Sequence, residues 1–184
     1  MNRIRNALLV LGLALTTTIG PAHSALAATA TELNATGKSA LDQLYAQSEK
    51  ARGYGREARA ILVFPRIVKA GLVVGGQSGE GVLLVNGEPS GYYRISAASV
   101  GLQAGGQTFG YVLFLMNDEA VGYLREHDGW AIGTGPNVVV YDEGAAAAAN
   151  STTLREDIVA IPFDQQGLMA GVDLEGSRIS TIDR

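Results

Sequence analysis

The sequence predicts an α+β fold: a strongly curved or barrel-like antiparallel β-sheet with an N-terminal helix and one inserted helix. Three observations carry this. Dense apolar runs at Ile61–Phe64, Val82–Val85 and Tyr111–Met116 alternate with glycine clusters, as buried strands joined by tight turns do. Asn86-Gly87, between two such runs, is a strong hairpin signal because both residues tolerate positive φ. Two stretches, near residues 31–52 and 117–127, instead follow helical spacing.

The first 27 residues stand apart. Arg3 and Arg5 precede an apolar run from Ala7 to about Ile19, and the small residues Ala25 and Ala27 suit a signal peptidase. A membrane anchor would need roughly 20 apolar residues. The run breaks at Thr16–Thr18 and Pro21, so the expectation is a signal peptide over 1–27 and export to the periplasm or cell envelope. The chain has no Cys, which closes the lipoprotein route.

Beyond the leader, the chain reads as a helical segment over 28–57 and one β-rich domain over 58–184. The first helix is expected from Thr31 to about Arg52, capped by Thr31 or Asn34, with Leu33, Leu41, Leu44, Tyr45, Ser48 and Ala51 at three-to-four spacing. Gly37 weakens it, and Gly53-Tyr54-Gly55 should break it before a short turn at Arg56–Ala58. Glu88-Pro89-Ser90-Gly91 should lengthen the Asn86-Gly87 turn beyond two residues. Ser99–Gly106 alternates like a half-buried strand, and Tyr111–Met116 is placed centrally.

Asn117 caps the inserted helix, with Asp118 and Glu119 in its first turn, and His127 marks its end. Strands resume at Trp130–Ile132 and Val138–Tyr141, and the alanine run Ala145–Ala149 reads as a loop or single turn. Ile158–Phe163 is another strand. Residues 168–175 give the cleanest period-two run, and Ser177–Ile182 reads as a last, frayed edge strand.

Catalytic signatures are missing. Beyond the leader there is one His, His127, beside Asp128 at a helix end, where a surface cation explains it. Gly76-Gln77-Ser78-Gly79-Glu80 imitates a nucleophile elbow but has Glu80 where the second Gly is required. Residues 101–108 approach a phosphate-binding loop, yet Gln107 replaces its lysine. One His and no Cys argue against a transition-metal site. Asp142-Glu143 and Glu156-Asp157 are adjacent acids that a solvated loop explains. The reading is therefore non-enzymatic, with no cofactor.

Charge distribution is more informative than the net −4, which argues against a nucleic-acid partner. From Thr29 to Ala70 seven Lys/Arg face four Asp/Glu; from Gly71 onward five face fourteen. Such asymmetry suits one end meeting an anionic surface. Ordinary helix-surface charge is the competing explanation.

Several blocks, in order, resemble the SYLF domain, a lipid-binding module of bacterial secreted proteins and of eukaryotic membrane and actin adaptors. Ala60–Phe64 is similar to its opening strand, Lys69-Ala70-Gly71 to its Lys-Ala-Gly-Phe segment with Leu72 for Phe, and Gly75–Gly81 to its glycine hairpin. Ser99–Gln107 resembles its S-V-G-x-Q-x-G-x-Q strand, and Gly167–Ser177 its closing strand with Met169 for Phe and Asp173 for Ser. The chain departs where Tyr92–Ser96 replaces Trp-Ser-x-Pro, where Gly135–Val139 replaces Gly-Pro-x-Gly-Arg, and at Gln166, where the family often has lysine.

The resemblance implies binding of phospholipid headgroups, phosphoinositides in eukaryotic members, and actin bundling in some. For an exported bacterial-type chain, neither actin nor phosphoinositides are expected as partners, which leaves an anionic phospholipid membrane surface. Lys50, Arg52, Arg56, Arg59, Arg66 and Lys69 are the lipid-binding candidates, with Tyr45 and Tyr54 as interface anchors unless the helix lies flat and uses them as core. At roughly 1 kcal/mol per cation near an anionic bilayer, four facing one way would bind weakly and salt-sensitively. The rival class is a structural or protein-binding envelope component without lipid specificity.

Overall fold

A computed structural model describes residues 28–71, 74–100, 105–141, 156–167, 174 and 176–184. The signal-peptide expectation, the alanine run and most of the 168–175 alternation lie outside the described residues. Among the described residues three helices, α1 (Ala30–Gln47), α2 (Glu49–Glu57) and α3 (Asp118–Glu126), accompany eight strands. These are β1 (Ala60–Gly71), β2 (Val74–Val85), β3 (Glu88–Val100), β4 (Gly105–Leu115), β5 (Trp130–Ala131), β6 (Val138–Val140), β7 (Ile158–Gly167) and β8 (Arg178–Thr181). They form one strongly curled half-barrel sheet in the order β5-β8-β3-β2-β1-β4-β7-β6. The expected α+β curved sheet is what forms.

Bulges explain much of the curl. Pro65 has no N–H to give to a ladder, and β1 changes register against both β2 and β4 around Pro65-Arg66. Across β4, β7 shifts at the same level, where Asp164 adopts a φ of 49°. Extra residues at one level of neighbouring strands bend and twist the sheet there.

Period two gives the sheet two apolar faces. One carries Leu62, Phe64, Leu83, Tyr111 and Leu113 and is covered by Ala120 and Leu124 of α3. The other carries Val63, Val82, Leu84, Val112 and Phe114 and is covered by Leu33, Leu41 and Leu44 of α1 with Ala51 and Tyr54 of α2. Each large side chain so buried is worth about 1.5–3 kcal/mol over an exposed one. Gly37 belongs to this packing: a Cβ there would lie 2.5 Å from Val82 Cγ1, so its absence lets α1 approach the sheet.

The helices break elsewhere than expected. Thr29, not Thr31 or Asn34, caps α1, its side chain accepting from the Glu32 N–H while Glu32 reaches back to the Thr29 N–H. The break falls at Ser48, whose Oγ accepts from the Ala51 N–H and starts a new helix straight through Gly53-Tyr54-Gly55. A Cβ at Gly55 would overlap the Tyr45 hydroxyl, so this glycine serves packing between the helices rather than a turn.

Four strand expectations are also corrected. Asn86 (φ 52°) and Gly87 (φ 80°) alone make the turn, because Ser90 is taken up as a bulge between the Leu84–Pro89 and Leu83–Gly91 pairs. Ser99–Gly106 is not one strand: its ends belong to β3 and β4, and 101–104 lie outside the described residues. β8 is no edge, for it pairs with β3 on one side and β5 on the other. The sheet also has one parallel pair, β6 with β7, and the 141–157 stretch between them is long enough for the crossover that parallel pairing needs. α3, by contrast, starts at an Asn117 cap accepting from the Ala120 N–H (2.8 Å) and ends at His127 as expected.

Candidate functional site

The expected cationic cluster begins on α2. Ala51 and Tyr54 face the sheet, which turns Arg52 and Arg56, one helical turn apart, into solvent. Neither has an ion-pair partner recorded among the described residues. Lys50 is held at the flank, its Nζ 4.5 Å from the centre of the Tyr141 ring, a cation–π contact. Arg59 follows the helix directly and stands 3.9 Å from Asp118 across a solvent-exposed gap, a pair that contributes little and leaves it able to exchange partners. Glu49 and Glu57 share the helix and offset part of the charge.

Arg66 and Lys69 are not brought into this group. Counting about 3.3 Å per strand residue, Arg66 lies on the order of 20 Å along β1 from Arg59, and Lys69 about 30 Å. They also face opposite ways. Arg66 pairs in register with Glu80 on the α1 face, beside a cavity of about 590 Å³ lined by Leu33, Ala40, Pro65 and Phe163. Lys69 stands on the α3 face, two residues beyond buried Ile67.

Both tyrosines pack against the sheet, the alternative that the sequence left open to an interface anchor. Tyr54 is 9% exposed, its ring 6.0 Å from Phe114 and 6.5 Å from Tyr141. Tyr45 is half-buried and stacked on Phe114 at 6.5 Å. Burial, helped by the Asp42 charge, pushes the Tyr45 phenol above its usual range and keeps it neutral. Both helices lie against the sheet, which consumes Tyr45 of α1 and Tyr54 of α2.

The remaining ionisable groups serve local structure. His127 stacks on Tyr123 at 3.9 Å. Asp128 accepts from the Thr181 hydroxyl and N–H, which hold its carboxyl below the ordinary range. Asp157 accepts from Asn117 and from the Asn137 N–H. Among the described residues no three His, Cys, Asp or Glu side chains are grouped to hold a metal, and no helix is long and apolar enough to cross a membrane.

Sequence reasoning passed over three buried polar residues, Gln77, Gln107 and Ser177. A signal was present: period-two counting from Ile67, Gly79 and Phe109 puts Lys69, Gln77 and Gln107 on an apolar face, where a polar residue calls for a reason.

A half-barrel sheet lined by helices, with an exposed cationic helix at one end, defines an α+β module. Residues 96–184 match the Ysc84 family model, described as "Las17-binding protein actin regulator". This is the model of the SYLF domain, and the match over residues 96–184 agrees with the resemblance read from the sequence. The family is one of binding and adaptor domains, associated with lipid and actin binding. The match begins within β3, so α1, α2, β1 and β2 precede it. No curated protein matches the chain.

Proposed function

We propose that the chain is an exported, non-enzymatic module that associates with anionic phospholipid headgroups at an envelope membrane through Lys50, Arg52, Arg56 and Arg59. The observation that carries this reading is the pair Arg52 and Arg56, exposed one turn apart and without recorded ion-pair partners, on a helix whose other side is locked to the sheet. A rigid mount lets several cations meet a surface at once without each having to be ordered on binding. The match of residues 96–184 to a family associated with lipid and actin binding supports lipid as the ligand class.

Discounting Glu49 and Glu57, two net charges at roughly 1 kcal/mol each give weak, reversible attachment. Flotation with anionic and with neutral vesicles tests it, using the wild type and an Arg52→Gln/Arg56→Gln variant. Recovery is expected with anionic vesicles only, to fade as salt shortens the screening length, and to fall to the neutral-vesicle level in the variant. Equal recovery on both lipids, or none, rejects the proposal. A co-purifying polypeptide without lipid preference would instead favour the protein-binding reading, which the family's description also supports.

A further inference from the structure

Four of the sequence blocks converge on one spot of the α3 face. Lys69 of β1 is directly opposite Gln77 of β2 on one side and Gln107 of β4 on the other, so the three side chains stand on the same face in one row. Ser177, fully buried, joins them: Gln77 Nε2 donates to its Oγ at 2.8 Å. Gln107 is only 5% exposed, and its Oε1 has no hydrogen-bond partner among the described residues. Lys69 is half-buried and has no ion pair recorded among the described residues. The next row on that face is Gly75, Gly71 and Gly105, again directly opposite one another. A cation and three polar groups therefore border a shelf of bare backbone.

A buried amide left unpaired is a standing penalty that leucine would avoid, and a half-buried lysine without a carboxylate invites an anion. A phosphate monoester meets both needs. Its charged oxygens suit Lys69, and its remaining hydroxyl in the monoanion can donate to Gln107 Oε1; a half-turn of the amide would offer N–H to a charged oxygen instead. An ionised carboxylate, which only accepts, matches one of those orientations. We propose that Lys69, Gln77, Gln107 and Ser177 form a binding site for a phosphate monoester, beside the glycine row of Gly71, Gly75 and Gly105. The site is independent of the α2 surface and stands or falls separately from it.

Titration of the full chain with inorganic phosphate, glycerol phosphate and a short-chain monomeric phosphatidic acid, followed by calorimetry and amide NMR shifts, tests this. Saturable binding is expected to at least one probe, with shifts centred on Lys69, Gln77 and Gln107. Binding to phosphatidic acid alone identifies a lipid headgroup as the source; equal binding of inorganic phosphate identifies the free ion. Lys69→Met should weaken binding by about tenfold or more, whereas Lys38→Met, a cation lost from α1, should not. Gln107→Leu should lose binding yet raise the thermal midpoint, which separates loss of the site from loss of the fold. No saturable binding to any probe, or unchanged affinity in Lys69→Met, overturns the proposal.

Discussion

Strands β1, β2 and β4 each have two halves that share a ladder and differ in everything else. Toward α2, Ala60–Phe64, Val82–Val85 and Tyr111–Leu115 are apolar at every position, with α1 and α2 on one face and α3 on the other. Beyond the Pro65-Arg66 bulge, the same strands carry Lys69, Gln77, Gln107 and glycines, and Val68 and Val74 are 45% and 69% exposed. Backbone pairing continues through both halves because it needs no side chains. Packing concentrates in the first half, which leaves the second free to carry polar chemistry at little expense to the fold.

The largest test of that contrast is Phe114→Ala. Phe114 is fully buried and touches the rings of both Tyr45 and Tyr54, so its loss opens the seam between sheet and helices. Urea unfolding should show a loss of about 3–5 kcal/mol. A smaller contrast comes from two glycines treated alike. An alanine Cβ at Gly81 would lie 2.6 Å from the Val63 carbonyl oxygen and press on the Phe64 ring, whereas at Gly106 the nearest atom is 3.9 Å away. Gly81→Ala is expected to cost about 1–3 kcal/mol by overpacking. Gly106→Ala should be neutral or stabilise by up to about 1 kcal/mol through the unfolded chain. Similar losses from both would mean that the two halves are equally tight.

How much of this could be read from residues alone follows the same division. The apolar halves announced themselves, because runs such as Tyr111–Leu115 admit few alternatives to a central strand, and the Asn117 cap fixed α3. Tertiary contacts decided the rest. Gly55 looks like a helix breaker in one dimension and is a seat for Tyr45 in three. The parallel β6–β7 pair depends on a crossover that no local period encodes. For the candidate site, the cations of α2 were legible as a group because they are neighbours in sequence. Arg66 and Lys69, near neighbours in sequence as well, do not join that group, since a strand's alternation sends them to opposite faces. The Lys69, Gln77, Gln107 row needed the register, which pairs residues far apart in the chain.

Glu80 gives the smallest test, at the boundary between the halves. Its neighbours across the ladder are Arg66 and Arg94. Arg94 donates to its carboxylate at 2.8 Å, and Arg184 donates to the same carboxylate from the far end of the chain. Burial alone would raise the Glu80 pKa, but the hydrogen bonds and charges of Arg94 and Arg184 outweigh it and hold the carboxyl below its ordinary 4.5. A group whose folded pKa is depressed contributes stability in full above its unfolded pKa and loses it as pH falls through the folded one. Urea midpoints of the wild type should therefore decline from about pH 4.5 downward, and Glu80→Gln should flatten part of that decline while lowering the midpoint at neutral pH. The side chain is only 19% exposed, yet its arginine partner Arg94 is 46% exposed, so solvent screening keeps the effect modest. Parallel pH curves for the two proteins would show that the arginines do not favour the charged form. The bulge level would then be held together by backbone pairing and apolar packing, and the boundary between the packed and polar halves would carry no electrostatic tie.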